Sequence, residues 1–106
     1  MVADETIGRA VMKLVDVFKP ERVVLFGSQA RGTADGKSDV DILMICALHG
    51  RRRDLMVQAN RALRSFMIPF DVIFLTPDEF ERDRVIPGTI ARPAWLEGKV
   101  VYERAP

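Results

Sequence analysis

The chain contains very few of the residues that build disulfides and soft-metal sites. Its 106 residues include one cysteine, one histidine, one tryptophan and one tyrosine. A single cysteine excludes a disulfide within the chain and also a cysteine-based metal site. Cys46 ends the apolar run that begins at Ile42, which favours a small core residue over a ligand or a nucleophile.

The sequence also lacks an excess of charge and a long hydrophobic run. Sixteen basic residues against 15 acidic ones leave a net charge of +1, which provides no general attraction for nucleic acid or anionic membrane. No window approaches the length of a membrane span, and Asp4 and Glu5 stand where a leader would be basic. We therefore expect no membrane association and a cytoplasmic location. The length predicts one domain, residues 1–106.

Hydrophobic periodicity predicts helices and strands in alternation. Apolar residues at three-to-four spacing predict a helix capped by Asp4 and another over residues 54–66. Short apolar runs predict four strands, over residues 22–26, 39–46, 70–75 and 99–102. Thr76 and Glu79 form a capping-box pattern for a short helix to about residue 84, and Gly98 closes a last helix over residues 90–97 that Pro93 interrupts. The pattern is that of an α/β domain.

The connection between the first two strands decides the type of sheet. Residues 28–31 are predicted to form a short helical turn, and residues 32–38 form a polar loop with two glycines. This segment is too short for the full crossover helix that joins parallel strands. The sequence therefore predicts a small mixed β-sheet flanked by helices.

Three aspartates at the starts of predicted strands are the candidate metal ligands. Side chains alternate along a strand, so Asp39 and Asp41 point to one face, roughly 7 Å apart. Asp71 has the same setting between Phe70 and Val72, and we expect all three acids to be partly buried and to need a countercharge. Oxygen ligands without cysteine or histidine favour Mg²⁺, or Mn²⁺, over zinc.

A Gly-Ser turn precedes the paired aspartates. Gly27 follows a buried strand and allows the backbone to approach a ligand, and Ser28 adds a hydroxyl that can face a phosphate. The turn lacks the Gly-Lys-Ser/Thr of a P-loop and the Gly-x-Gly-x-x-Gly of a dinucleotide site. Both of those families are set aside.

The spacing of these residues resembles the DNA polymerase β-type nucleotidyltransferase superfamily. The pattern is Gly27-Ser28, ten residues, then Asp39-x-Asp41, with the later Asp71 on a strand. The fuller string from Phe26 to Asp41 resembles the minimal nucleotidyltransferase (MNT) proteins, and the resemblance covers nearly the whole chain. It implies a nucleotidyltransferase fold like the palm of polymerase β.

The resemblance also implies an activity and a role for each site residue. A nucleoside triphosphate, by family ATP, would lose pyrophosphate while its nucleotide passes to an acceptor hydroxyl. Asp39, Asp41 and Asp71 would hold two Mg²⁺ ions, and Asp71 would help to deprotonate the acceptor. Gly27 and Ser28 would bind the phosphates. Arg31 would neutralise phosphate or pair with Asp35 or Asp39, and Lys37 and Ser38 are further candidates for triphosphate contact.

The acceptor is less closely defined. Family members of this size resemble the antitoxin of a toxin-antitoxin pair, which adenylylates a tyrosine of a HEPN-type ribonuclease. One alternative is a small-molecule nucleotidyltransferase of the antibiotic-modifying kind, although those enzymes add a helical domain that this chain lacks. Another is a non-catalytic module that masks a toxin by contact. Direct nucleic-acid binding is not expected, because no basic groove or aromatic platform is evident.

Several other conspicuous residues have simpler interpretations. His49 lies in a polar loop and is expected to be solvated. The run Arg51-Arg52-Arg53 indicates a solvated helix face, with phosphate or an acidic partner as the alternative. Trp95 is expected in the core or in an interface, and Met67 is expected to pack at an apolar position.

Overall fold

The computed structural model describes residues 4–27 and 39–105. Within these residues, four strands and four α-helices follow one another in the order α-β-β-α-β-α-α-β, with a 3₁₀ turn at Arg64–Phe66. The strands are β1 (Arg22–Phe26), β2 (Val40–Ile45), β3 (Phe70–Leu75) and β4 (Lys99–Glu103). The helices are α1 (Asp4–Phe18), α2 (Arg52–Leu63), α3 (Pro77–Asp83) and α4 (Ala91–Glu97).

The sheet is mixed, as the short link between its first two strands requires. Its strand order is β3-β2-β1-β4. β1 pairs antiparallel with β2 and β4, and β2 pairs parallel with β3 through the crossover helix α2. β1 and β2 are buried over almost their whole length, because helices cover both faces of the sheet.

Two apolar clusters form the core, one on each face of the sheet. The larger lies under α1 and α2, where the buried stripe of α1 meets alternate residues of the strands: Ile7, Ala10, Val11 and Leu14 with Val23, Leu25, Val40, Ile42, Met44, Val72 and Phe74. The smaller lies under α3 and α4: Val24, Phe26, Leu43, Ile45, Phe80, Ala91 and Ala94. The molecule is a three-layer α/β domain. Cys46 lies in the larger cluster, as predicted.

The short helices are defined by local signals. Thr76 Oγ1 accepts a hydrogen bond from the Glu79 amide at 3.1 Å, and Glu79 Oε1 accepts one from the Thr76 amide at 2.8 Å, which confirms the capping box. Pro93 falls in the first turn of α4, where a missing amide hydrogen costs nothing, so the helix is continuous. Gly98 ends α4 with an extended backbone, and the position requires glycine because an added Cβ would overlap the Ala94 carbonyl oxygen and lie 2.6 Å from Val24 Cγ1.

Several element boundaries and the exposure of Met67 differ from the predictions, and of the two expectations for Trp95 only the interface remains. Helix α1 includes Asp4 rather than following it, and α2 begins two residues before Asp54. Met67 is 91% exposed, because it ends the 3₁₀ turn in a left-handed conformation with φ of 55°. Trp95 is 45% exposed and is not a core residue. The predicted turn and loop over residues 28–38 lie outside the described residues.

Among the described residues the longest helix, α1, has 15 residues, and none is long and apolar enough to cross a membrane.

Candidate functional site

The parallel pairing of β2 with β3 brings two of the predicted acids together. Asp41 lies opposite Asp71 in the register of these strands. Neighbouring strands are about 4.8 Å apart, so the two carboxylates share one small volume. Asp41 also lies opposite Phe26, the residue before Gly27. Three segments of the chain therefore meet at this end of the sheet.

Asp41 and Asp71 lie on the sheet face that α3 and α4 cover. Side chains two residues apart share a face of a sheet. The residues that follow the acids at this spacing belong to the smaller apolar cluster or pack against it: Leu43 and Ile45 on β2, Ile73 and Leu75 on β3. Each of the two strands therefore carries a row that is apolar beneath the helices and acidic at its start.

Gly27 is fitted to the carboxylate of Asp41. Its φ is +75°, which is favoured for glycine and strained for other residues. A Cβ added to Gly27 would overlap Asp41 Oδ2 and would lie 3.2 Å from Asp41 Cγ. The absence of a side chain at Gly27 thus leaves the space that the Asp41 carboxylate occupies.

The exposure of the acids differs from the expectation. Asp41 is half-buried, but Asp39 and Asp71 are exposed. Asp39 lies one residue before β2, and Asp71 is the second residue of the edge strand β3. The predicted desolvation of Asp39 and Asp71 is therefore wrong, and water can solvate both carboxylates in the free protein.

A family model for the nucleotidyltransferase domain matches residues 9–99, which include Gly27 and all three acids. The chain belongs to the nucleotidyltransferase domain family. A comparison with the curated proteins finds no significant match to this sequence.

Solved structures share the fold of this nucleotidyltransferase domain. One is a putative nucleotidyltransferase from Sulfolobus solfataricus, with 26% identity and a TM-score of 0.65 over 94% of this chain and 79% of that one. A second is a toxin-antitoxin with AMP-PNP, with 22% identity and a TM-score of 0.61 over 92% and 73%. A third is a tri-AMPylated HEPN toxin in complex with an MNT antitoxin from Shewanella oneidensis, with 19% identity and a TM-score of 0.58 over 94% and 71%.

The donor set of the candidate site fits a hard divalent cation. Asp41 and Asp71 offer carboxylate oxygens from adjacent strand positions, and oxygen ligands suit Mg²⁺ and Mn²⁺. Within residues 4–27 and 39–105, no three acidic, histidine or cysteine side chains are grouped closely enough to hold a metal ion. A metal at Asp41 and Asp71 would complete its shell with Asp39, phosphate oxygens or water.

The remaining predicted site residues lie outside the described part of the chain. Ser28, Arg31 and Ser38 all fall in residues 28–38. Their roles in phosphate contact stay predictions. The same holds for Lys37, which also falls in this segment.

The opposite end of the sheet holds the residues with the simpler interpretations. Burial, with a smaller contribution from Glu21, raises the pKa of the Cys46 thiol, so the thiolate needed of a nucleophile is disfavoured at neutral pH. His49 is exposed. Arg52 is structural, because its guanidinium pairs with Glu79 at 2.6 Å and donates to the Phe74 carbonyl at 3.0 Å.

The sequence analysis missed a pair of arginines beside Trp95. The guanidinium carbons of Arg84 and Arg92 lie 4.8 and 5.7 Å from the centroid of the Trp95 ring. The spacing of Arg92 and Trp95, three residues apart on one helix, was the available signal. Arg84 comes from the preceding helix end, and no local pattern in the sequence indicates its contact.

Proposed function

We propose that this chain is a metal-dependent nucleotidyltransferase that transfers AMP from ATP to a hydroxyl of a partner protein. The proposed acceptor is a tyrosine of a HEPN-type toxin, which the chain would silence as its antitoxin. The observation that carries the proposal is the Asp41–Asp71 register pair beside Gly27 in a chain of the nucleotidyltransferase family. The proposal places the reaction in the cytoplasm, where ATP is available.

The residues of this chain divide the work of the reaction. Asp41, half-buried against Gly27, would bind the nucleotide end of the site with Asp39. Two Mg²⁺ ions, or Mn²⁺, would activate the attacking oxygen and stabilise the leaving one. Asp71 is exposed on the edge strand, where an acceptor from outside the molecule can reach it, and it would take the proton of the acceptor hydroxyl.

The bonds made and broken follow from this assignment. The acceptor oxygen forms a bond to the α-phosphorus of ATP, and the bond from that phosphorus to the bridging oxygen of the β-phosphate breaks. Pyrophosphate leaves, and AMP stays on the acceptor. Gly27 would allow the backbone of the turn to approach the phosphates, with Ser28, Arg31 and Ser38 as the predicted further contacts.

An external protein acceptor is supported by the exposure of the acids. Asp39 and Asp71 are exposed at one end of the sheet, where a hydroxyl from outside the molecule can reach them. Solved neighbours with the same fold include a HEPN toxin with an MNT antitoxin.

The direct test is to mix the protein with Mg²⁺, each nucleoside triphosphate in turn, and the product of the neighbouring gene as the proposed HEPN-type protein, and then to weigh the HEPN-type protein intact. We expect an increase by one or more AMP units with ATP, and none with the Asp41→Asn variant. The matched control is Asp16→Asn, an exposed carboxylate on α1. If the toxin is silenced without any increase in its mass, the chain masks the toxin by contact and does not modify it.

A further inference from the structure

Five of the eleven exposed large apolar side chains among the described residues lie in one short segment of the chain. Large apolar residues that are 42–57% exposed occur five times within residues 85–96. We call these five residues, with Arg84 and Arg92, the Trp95 patch: Val85, Ile86, Ile90, Trp95 and Leu96. Concentrated apolar exposure of this kind is typical of an interaction surface.

The centre of the Trp95 patch is held in place before any partner arrives. The Trp95 ring lies within 6 Å of the guanidinium carbons of both Arg84 and Arg92. Arg92 Nη1 also donates a hydrogen bond to the Arg84 carbonyl at 3.3 Å, which ties the start of the loop to α4. A tryptophan already fixed by two arginines loses little side-chain entropy on binding, and these two residue types are enriched in the residues that dominate binding energy.

The charge of the patch defines what it can bind. Residues 84–96 contain two arginines and no aspartate or glutamate. Arg84 shares its charge with Glu81 at 2.7 Å, whereas neither the Arg84 carbonyl nor the Trp95 ring neutralises Arg92. The complementary surface is therefore an apolar centre with carboxylates at its rim.

The helix that carries Trp95 lies on the same face of the sheet as the candidate site. Ala91 and Ala94 seat α4 on the sheet face that carries Asp41 and Asp71. The chain leaves α4 through Gly98, and Lys99 then pairs with Leu25, two residues before Gly27. A protein that covers α4 therefore lies beside the acidic end of the sheet.

We propose that the Trp95 patch is the surface on which the protein acceptor docks, through an apolar surface rimmed by aspartate and glutamate. This inference rests on the proposed function, because it supplies the protein acceptor of that site with a place to bind. Docking on α4 would orient the acceptor hydroxyl toward Asp71. The docked surface would then position the acceptor as a pocket otherwise would.

The test measures the affinity of the HEPN-type protein for variants of the patch by calorimetry in Mg²⁺ buffer without ATP, so that binding is separated from transfer. The patch variants are Leu96→Asp and Arg92→Glu. Their controls are Met12→Asp, a residue that is 57% exposed like Leu96, and Arg9→Glu, both on α1 across the sheet. Circular dichroism and the thermal shift with Mg²⁺ and ATP establish that each variant is folded and retains its site.

We expect each patch variant to weaken the complex by about tenfold or more, and each control to change it less than about twofold. Higher salt should weaken the wild-type complex and leave the Arg92→Glu complex less affected. Equal affinities for patch and control variants would overturn the docking surface, and if the wild type still transfers AMP, the proposed function stands. Failure of the HEPN-type protein to bind would also overturn the docking surface. So would self-association of the wild type that is lost in Leu96→Asp, because the patch would then bind a second copy of this chain.

Discussion

Gly27 and Asp41 show how closely the candidate site depends on single atoms. The backbone of Gly27 has a φ of +75°, and the space beside its Cα is taken by the carboxylate of Asp41. A change at Gly27 therefore acts twice, through backbone strain and through displacement of a proposed metal ligand. Gly88 has a similar φ of +90°, but an added Cβ there would meet nothing within 4 Å.

These two glycines make a matched pair for a substitution test. We expect Gly27→Ala and Gly88→Ala each to lower the free energy of unfolding by about 1–2 kcal/mol, because alanine is strained at positive φ. Only Gly27→Ala should also lose the thermal stabilisation by Mg²⁺ and ATP, since it displaces Asp41. Urea unfolding and thermal shift measure the two effects. If Gly27→Ala keeps the thermal stabilisation by Mg²⁺ and ATP, the Asp41 carboxylate is not part of the binding site.

Asp71 allows binding and chemistry to be separated. Because it is exposed and faces Asp41 across the strand pair, Asp71→Asn removes a like-charge contact, and the free protein should be as stable as wild type or up to about 1 kcal/mol more stable. Triphosphate binding should persist, while transfer to the acceptor falls by about 100-fold or more. Single-turnover transfer assays with Asp16→Asn as the control measure this, and near-normal transfer would exclude Asp71 as the base.

Among the elements, α2, β3 and α3 are joined through one carboxylate. Glu79 closes the capping box of α3 and pairs with Arg52 of α2, which in turn donates to the Phe74 carbonyl in β3. The hydrogen bond from the Thr76 amide, and then the Arg52 guanidinium, hold the pKa of Glu79 below its ordinary value of 4.5. The folded state therefore favours the charged form of Glu79.

A lowered pKa makes this junction sensitive to acid. The stabilisation by Glu79 is fully present above about pH 4.5 and is lost as the pH falls through the lower pKa of the folded state. We expect Glu79→Gln to cost about 1 kcal/mol at pH 7 and the difference from wild type to shrink toward zero below pH 4.5. Urea unfolding between pH 3 and pH 7 measures this, with Glu81→Gln on the same helix as the control. A difference independent of pH would contradict it.

At the scale of the whole molecule, the proposed binding of metal and triphosphate at the adjacent carboxylates would couple ligand binding to stability. A ligand at one hundred times its dissociation constant adds about 2.7 kcal/mol, and for a domain of this size each kcal/mol raises Tm by about 4–8 °C. We expect a rise of roughly 10–20 °C with Mg²⁺ and ATP together. ATP with EDTA should give almost none, because without a divalent cation the carboxylates and the phosphates carry charge of the same sign. An equal rise with EDTA present would exclude metal-dependent binding.

The sequence predicted most of this architecture because its signals are local. Apolar runs, the capping box at Thr76 and the short link after Gly27 depend on neighbouring residues alone. Neighbouring residues alone do not determine the exposure of Asp71, Trp95 and Met67. That exposure depends on which surfaces the helices cover and on one left-handed turn. The pairing of Asp41 with Asp71 depends on the register of two strands that are far apart in the chain.

The parallel register of β2 and β3 also determines when the site exists. A chain that has folded only its first two strands contains Gly27, Asp39 and Asp41, but not the opposing carboxylate. Asp71 reaches Asp41 only after α2 has crossed the sheet and β3 has paired, and a shift of one residue would turn it toward the larger apolar cluster. Under the proposed mechanism, a growing chain would therefore stay inactive until β3 has been synthesised and has paired with β2.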